Sequence, residues 1–454
     1  MNQVFSNGNP LSKFFIGSRG MLICALALGV AFSIASPLWA QRFRQIQPKL
    51  NEKDAKAMQR AVAKAVKNPA GLGADANTVT EYFTKYYFPM MTYFDPDNLA
   101  ELGDRREDLF KLYIRATTNA DTQAALSSLA LKVASAISKG NYHPAVRYNG
   151  ALILGNLDQQ NAGGTRNNPT PPIPLPAATA ALLELLEQDD FKGVKVSPSV
   201  QLGALIGLER HARFGIAPQH AQRVTKVALD LIAQENPPEE VTQDVHRWMK
   251  GRAASVLINQ HREKLNAEIQ ATLDSLIANE DFELENRCFV AQLMKGIDYP
   301  QAGNIKYAAA VAALGSLSQD VMEAESELAD DYQQEILGGG GFNQRRNIFG
   351  GGRGGRGDDQ PKLERRQLLS RLKAIYAGGE SLEEGAPDAA KSQIQALLDA
   401  LEPARSAATD KNITELELAE AVIDAAENVD QVVQSWAQDA PPAEKPEADL
   451  AEAA

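Results

Sequence analysis

The stretch HPAVRYNGALILGNL, residues 143–157, decides how the chain is read. Pro144 suits the first turn of a helix, where its missing N–H would have had no partner. Behind it Val146, Gly150, Ile153, Leu154 and Leu157 recur at i, i+4, i+7, i+8 and i+11, one apolar face of an α-helix. A glycine inside a helix costs about 0.5–1 kcal/mol relative to alanine. Gly150 and Gly155 therefore predict close approach by a neighbouring helix.

Outward from this run, nearly every segment from 50 to 335 is rich in Ala, Leu, Glu, Gln, Lys and Arg, the good helix formers. The periodicity predicts helices over 51–67, 76–88, 97–116, 119–139, 144–157, 175–188, 198–212, 218–235, 238–259, 262–279, 283–297 and 301–336. Prolines punctuate them at first-turn positions, in Asp95-Pro96, His143-Pro144, Ser197-Pro198, Ala217-Pro218 and Pro237-Pro238. Ser197 is a candidate N-cap, and Glu239 and Glu240 are placed to complement a positive helix end. Period-two alternation is essentially missing. Phe191 to Val196 is the one strand-like run, and with Gly193 inside it reads as a connector. Helices without sheet partners must bury their apolar stripes on one another, so the expected class is all-α.

Two internal echoes suggest a repeat. Gly150-Ala151-Leu152-Ile153 returns as Gly203-Ala204-Leu205-Ile206, and Leu154-Gly155-Asn156-Leu157 is echoed by Leu314-Gly315-Ser316-Leu317. The second spacing, 160 residues from 154 to 314, is four steps of about 40, within the period of HEAT and armadillo repeats. Residues 143–157 resemble the second helix of a HEAT (armadillo-like) repeat, whose motif runs Val-Arg, then small residues, then Leu-Gly-x-Leu. Here Val146, Arg147, Gly150, Leu154, Gly155 and Leu157 carry the match. Segments 198–212, 246–259, 286–296 and 305–317 match loosely. The family's aspartate before the proline is replaced by His143, and Arg147 has no clean counterpart in 198–212. The resemblance, to HEAT-like chains of the secreted bacterial kind, implies an α-solenoid of degenerate helix pairs over 41–336. It also implies that Arg147 ties neighbouring repeats together by hydrogen bonds. It brings no activity with it.

The N-terminus has a different character. Residues 1–20 carry Lys13 and Arg19 and no acid, 21–35 are almost wholly apolar, and Ser36-Pro37-Leu38-Trp39-Ala40 ends in a small residue. That order predicts a secretory signal peptide over 1–40, cut between Ala40 and Gln41. The alternative is an uncleaved anchor, since 21–40 is just long enough to span a bilayer. The expected location is therefore outside the cytoplasm, periplasmic or extracellular, with membrane contact only through 21–40 if they are kept. Cleavage would leave 414 residues and remove two cations, taking the net charge from −12 to −14. Only Cys288 would remain, and flanking Phe289, Val290 and Leu293 predict that it is buried.

Three stretches read as irregular. Residues 158–175 are Gly, Asn and Pro rich and are expected to be an extended loop on one face of the array. Residues 337–362 include ten glycines and four arginines, a composition that cannot offset the entropy of ordering. They are read as a disordered Gly/Arg linker. Arg353-Gly354-Gly355, the Gly352-x-Gly354-x-x-Gly357 pattern and Arg356-Gly357-Asp358 are its sharper alternatives, but no strand-then-helix frame supports a phosphate cradle there. Further helices are predicted over 363–376, 387–402 and 411–437, a C-terminal segment (363–437) that caps the array or folds back on it. An acidic tail, 438–454, follows.

Signals for chemistry are sparse. The five histidines, 143, 211, 220, 246 and 261, form no metal-binding spacing, and His246 is expected on a helix surface. There is no GxSxG, Walker loop or CxxC. No cofactor, metal or catalytic residue is assigned, and net negative charge argues against a broad nucleic-acid surface. The densest local feature is YFTKYYFPMMTYF, residues 82–94, with seven aromatics. It reads as the N-terminal core layer or, alternatively, as a patch in which Tyr86, Tyr87, Tyr93 and Phe94 meet a partner inside a rim of Arg105 and Arg106. The function expected is a non-enzymatic scaffold that binds a protein or peptide partner. The alternatives are an enzyme with a non-contiguous site, or an RNA-associated protein using the Gly/Arg stretch.

Overall fold

A computed structural model describes residues 43–238, 240–337 and 363–439. Ala40, Gln41, the rest of the proposed leader, the Gly/Arg segment and the acidic tail beyond Asp439 lie outside the described residues. Backbone contacts gather the described residues from Gln45 onward into a single unit. The described chain is predominantly helical. Its helices are α1 (Glu52–Ala65), α2 (76–90), α3 (96–114), α4 (Ala120–Lys139), α5 (Pro144–Gly155), α6 (Pro176–Glu187), α7 (Pro198–Phe214), α8 (Pro218–Ala233), α9 (Gln243–His261), α10 (Ala267–Ala278), α11 (Leu284–Leu293), α12 (Tyr307–Leu337), α13 (Arg365–Gly385), α14 (Asp388–Thr409) and α15 (Glu415–Asp439).

Local chemistry starts these helices. Proline occupies the first turn of α3, α5, α6, α7 and α8. Side-chain oxygens of Asn51, Asp95, Asn119, Thr242 and Asn266 accept from free first-turn amides. Ser197 does not cap α7; its Oγ lies 3.0 Å from Ser199 Oγ, and Pro198 alone marks the start. Nor does α9 begin at Pro238. Glu240 has φ 72°, outside the helical region, and Thr242 caps the helix five residues later than the proline pair suggests.

Two irregularities shape the N-terminal helices. A π-turn, Phe83–Tyr87, sits inside α2 just before Pro89. Pro89 has no N–H to give to the Lys85 carbonyl, and Lys49 N–H donates to that carbonyl instead, at 2.7 Å. A second π-turn, Leu109–Ile114, ends α3 and brings Tyr113 back onto α2. Tyr82, Phe83, Tyr87, Phe88 and Tyr113 then form one buried ring cluster, with Phe83 edge-on to Tyr113 at 5.1 Å between centroids.

Short strands interrupt the helices where extended loop and connector were expected. β1 (Asp158–Gln160) pairs antiparallel with β4 (Ile173–Pro174), and β2 (Gly163–Thr165) with β3 (Asn168–Thr170). β5 (Asp190–Phe191) and β6 (Val194–Lys195) form a tight hairpin. Its two turn residues, Lys192 and Gly193, take φ 55° and 80°, the twist a two-residue hairpin needs.

Alternate helices pack on one another. α5 packs on α3 and α7, α9 on α7 and α11, and α13 on α11. Against this row lie α4 on α5, α6 on α7, α8 on α9 and α10 on α11. α12 to α15 close into a group in which α15 packs on both α12 and α14. The C-terminal helices thus share the unit of the preceding array.

The glycines of 143–157 do what their cost suggested. Gly155 abuts Gly207 where α5 crosses α7, and a Cβ on Gly207 would sit 2.9 Å from Gly155 Cα. Gly150 faces the other way, toward Ser138 Oγ and the Ala134 carbonyl of α4. Gly203 backs onto Tyr148 and Ala151, so the two echoing GALI segments are direct neighbours in space. Gly315, in the second echo, instead makes room for Trp436 of α15. α13 runs nine residues past its expected end, through Gly378 and Gly379, because these two lie against the Ala291 carbonyl of α11 and Leu398 of α14.

Candidate functional site

Arginines bridge the successive steps of the row α3-α5-α7-α9-α11-α13. Arg106 of α3 donates to Asn149 Oδ1 of α5 at 2.5 Å. Arg210 of α7 grips both oxygens of Asp158, just past α5, at 2.8 and 2.7 Å, and also donates to the Gly155 carbonyl. Arg252 of α9 reaches Glu209 of α7 at 3.1 Å, and Ser255 Oγ donates to the same carboxylate at 2.9 Å. Arg247 of α9 lies 3.7 Å from Glu283, which precedes α11. Arg371 of α13 binds Glu285 of α11 at 2.7 Å and Glu325 of α12 at 2.8 Å. The planar guanidinium suits such work because its fork engages a carboxylate or two carbonyls at fixed geometry.

A second set joins the two helices of a pair and also reaches the element beyond it. Arg147, fourth residue of α5, donates from Nε to the Ser138 carbonyl at the end of α4, at 3.0 Å, and from Nη1 to the Lys195 carbonyl of the β5–β6 hairpin, at 2.8 Å. Arg287, fourth residue of α11, repeats the contact: its Nε donates to the Ile277 carbonyl at the end of α10, at 2.6 Å. Asp320 of α12 pairs with it at 2.5 Å. Burial lowers the pKa of Arg147 and of Arg106, the direction expected when charge is taken out of water. Burial pushes the Glu325 carboxyl up, although Arg371 pulls it the other way.

Aromatic rings stack on the same arginines. Arg252 is sandwiched between Trp248 of its own helix at 4.6 Å and Phe289 of α11 at 5.2 Å. Arg210 covers Phe214 at 5.3 Å, and Phe214 is among the exposed large apolar residues, at 37%. These cation–ring pairs leave flat, partly exposed apolar surface on α7, α9 and α11, beside guanidiniums already committed to Asp158 and Glu209.

The predicted residues divide. Val146, Leu154 and Leu157 are buried in the core with Arg147. Tyr87 is also buried, its hydroxyl donating to the Arg105 carbonyl. Tyr86, Tyr93 and Phe94 are half-buried; Tyr93 donates to Gln47 at 2.6 Å and Phe94 stacks on His143. Arg105 donates to the Met90 carbonyl, and Arg106 is drawn to α5. Structural bonds thus engage Tyr87, Arg105 and Arg106, which the alternative reading placed in a partner patch and its polar rim.

Buried ionisable groups elsewhere sit in structural settings. His211 is fully buried against Thr179 Oγ1, and burial, with Arg210 beside it, lowers it to about 3. His246, expected on a surface, is fully buried beside the Gln234 carbonyl at 2.9 Å, because α9 turns that side onto the chain after α8. Burial raises Cys288 to about 12, which leaves it a thiol. Asp274 of α10 is buried and accepts from Gln270 at 2.5 Å, while Tyr299 donates to the other end of Gln270 at 3.1 Å. Its second carboxylate oxygen has no hydrogen-bond partner, and burial raises it to about 7 against Gln270's opposing effect. Among the described residues no group of three His, Cys, Asp or Glu is arranged to hold a metal ion, and no helix is long and apolar enough to cross a membrane.

Comparison with protein-family models, with curated proteins and with solved structures finds no match to this chain.

Proposed function

We propose that the chain is a non-enzymatic interaction scaffold, a degenerate HEAT-like α-solenoid that binds a protein or peptide partner along the α7–α9–α11 face. The observation that carries this reading is the row of alternate helices bridged by arginine from α3 to α13. Repeat arrays stack units so that each touches its neighbours, and the repetition builds a long surface suited to extended partners. The equivalent Arg147 and Arg287 contacts support a repeating unit of two helices. The proposed location is outside the cytoplasm, with 1–40 removed or retained as an anchor.

A photo-crosslinking side chain placed at Phe214, Trp248 or Phe289 in the native cell tests the binding face. Specific adducts are expected from these positions and not from exposed Lys226 on α8. Equal labelling from both faces would sink the proposed surface. Solution scattering tests the architecture. A compact chain of this size has a radius of gyration of about 22 Å, and a solenoid must exceed it clearly.

A further inference from the structure

The first and last of the described helices carry opposite charge in matching patterns. On α1, Lys53, Lys56, Arg60 and Lys64 recur at i, i+3, i+7 and i+11, and Lys67 continues the line just past the helix end. At 100° per residue these five lie on one side, opposite the buried Ala55, Val62 and Ala65. All five are exposed, and among the described residues only Lys56 has an ion pair, with Glu52 at 2.6 Å. On α15, Glu417, Glu420, Asp424 and Glu427 recur at i, i+3, i+7 and i+10, opposite the buried Leu418, Val422, Ala425 and Val429. α12 and α15, packed on each other, hold fourteen carboxylates and no lysine or arginine. Among the described residues, Glu420, Asp424 and Glu427 have no cationic partner. α1 packs on α2 and α15 on α12 and α14, so the two stripes do not neutralise each other within one molecule.

We propose that the chain associates head to tail, the basic stripe of α1 in one copy docking along the acidic stripe of α15 in a second copy. The stripes share the spacing i, i+3, i+7. Their lengths also match: the eleven steps from Lys53 to Lys64 span about 16 Å and the ten from Glu417 to Glu427 about 15 Å. A second copy is the favoured occupant because both complementary faces lie on this chain, and each remains open when the other is engaged. Such a contact is heterologous, so it can repeat into open chains. The surface involved is separate from the partner face of α7–α9–α11.

The test is light scattering on the full chain, held in a non-ionic detergent that occupies residues 21–40. At about 10 mM salt, where charges act over about 30 Å, the mass should rise roughly twofold or more with concentration; at about 1 M, where the range is about 3 Å, it should return to the monomer. K53E/R60E/K64E and E420K/D424K/E427K should each stay monomeric at low salt with unchanged circular dichroism. An equimolar mixture of the two should associate again, because each now supplies what the other lacks. The proposal is overturned if the wild type stays monomeric at low salt, if either variant still associates alone, or if mixing restores nothing. A monomeric wild type that binds anionic phosphatidylglycerol vesicles, with K53E/R60E/K64E losing that binding, would replace a second copy with a membrane surface.

Discussion

Replacing Asp274 by asparagine should remove a pH dependence that the wild-type chain carries in α10. The carboxyl is buried, one oxygen is bonded to Gln270 and the other has no partner. Burial raises it from an ordinary 3.8 to about 7 in the folded state. A raised folded value means that the folded chain holds a proton which the unfolded chain releases. The resulting stabilisation is complete below about pH 4 and is lost as pH rises through about 7. Three units at about 1.4 kcal/mol each set an upper limit of about 4 kcal/mol for the swing. An amide in place of the carboxyl cannot ionise, so D274N should lose this slope while keeping an acceptor for Gln270. Hydrogen exchange of the α10 amides, wild type against D274N at matched pH, isolates the effect from the intrinsic pH dependence of exchange. Opening free energy should fall in the wild type relative to the variant between about pH 4.5 and pH 8, by about 2–4 kcal/mol. A difference that stays constant within about 1 kcal/mol across that range would refute a desolvated, uncompensated Asp274.

Three further outcomes are expected. Gly207→Ala places a methyl against Gly155 Cα and Leu182, and should cost about 1–3 kcal/mol in thermal denaturation; Gly103→Ala, in open space on α3, should instead stabilise by about 0.5–1 kcal/mol. Arg252→Ala leaves buried Glu209 with only Ser255 and distant Arg213, and should destabilise by about 1–3 kcal/mol; Arg252→Lys should recover part of the loss but not the stacking on Trp248. Cys288 should resist a thiol reagent at about pH 8 until denaturant is added, and immediate labelling mapped to Cys288 in the folded chain would contradict its burial and raised pKa.

The helices were legible because their stripes repeat over many turns. Val146, Gly150, Leu154 and Leu157 all fall on one face of α5, and Pro144 marks its start. Gly150 and Gly155 also announced close packing, though not which neighbour each would meet. The hairpins of 158–174 and 190–195 were not legible. Their strands are two or three residues long, too short for alternation to register, and their turns rest on single residues such as Lys192 and Gly193 with positive φ. The arginine bridges escaped for another reason. An arginine on a helix is read as surface by default, and Arg210, Arg252 and Arg371 find their carboxylates 43 to 86 residues away. The equivalence of Arg147 and Arg287 had one sequence trace, since each is the fourth residue of its helix. In the aromatic run 82–94, read first as a core layer, the π-turn at Phe83–Tyr87 was not legible; Tyr82, Phe83, Tyr87 and Phe88 are buried and Tyr86 is half-buried.

The crossing of α5 and α7 joins two contacts that have been treated apart. Gly155 touches Gly207 through backbone alone, and the Gly155 carbonyl is held by Arg210, which also stacks on exposed Phe214. With no side chain between the axes, no rotamer can absorb a change in the angle at which the two helices meet. A ligand that pulled Arg210 toward itself would loosen the last turn of α5 and shift that angle directly. Linkage then runs both ways: bending the array at this step must change the affinity of whatever engages Arg210. Under the proposed binding role, the glycine pair would make the α5–α7 step a place where mechanical load and recognition share one bond.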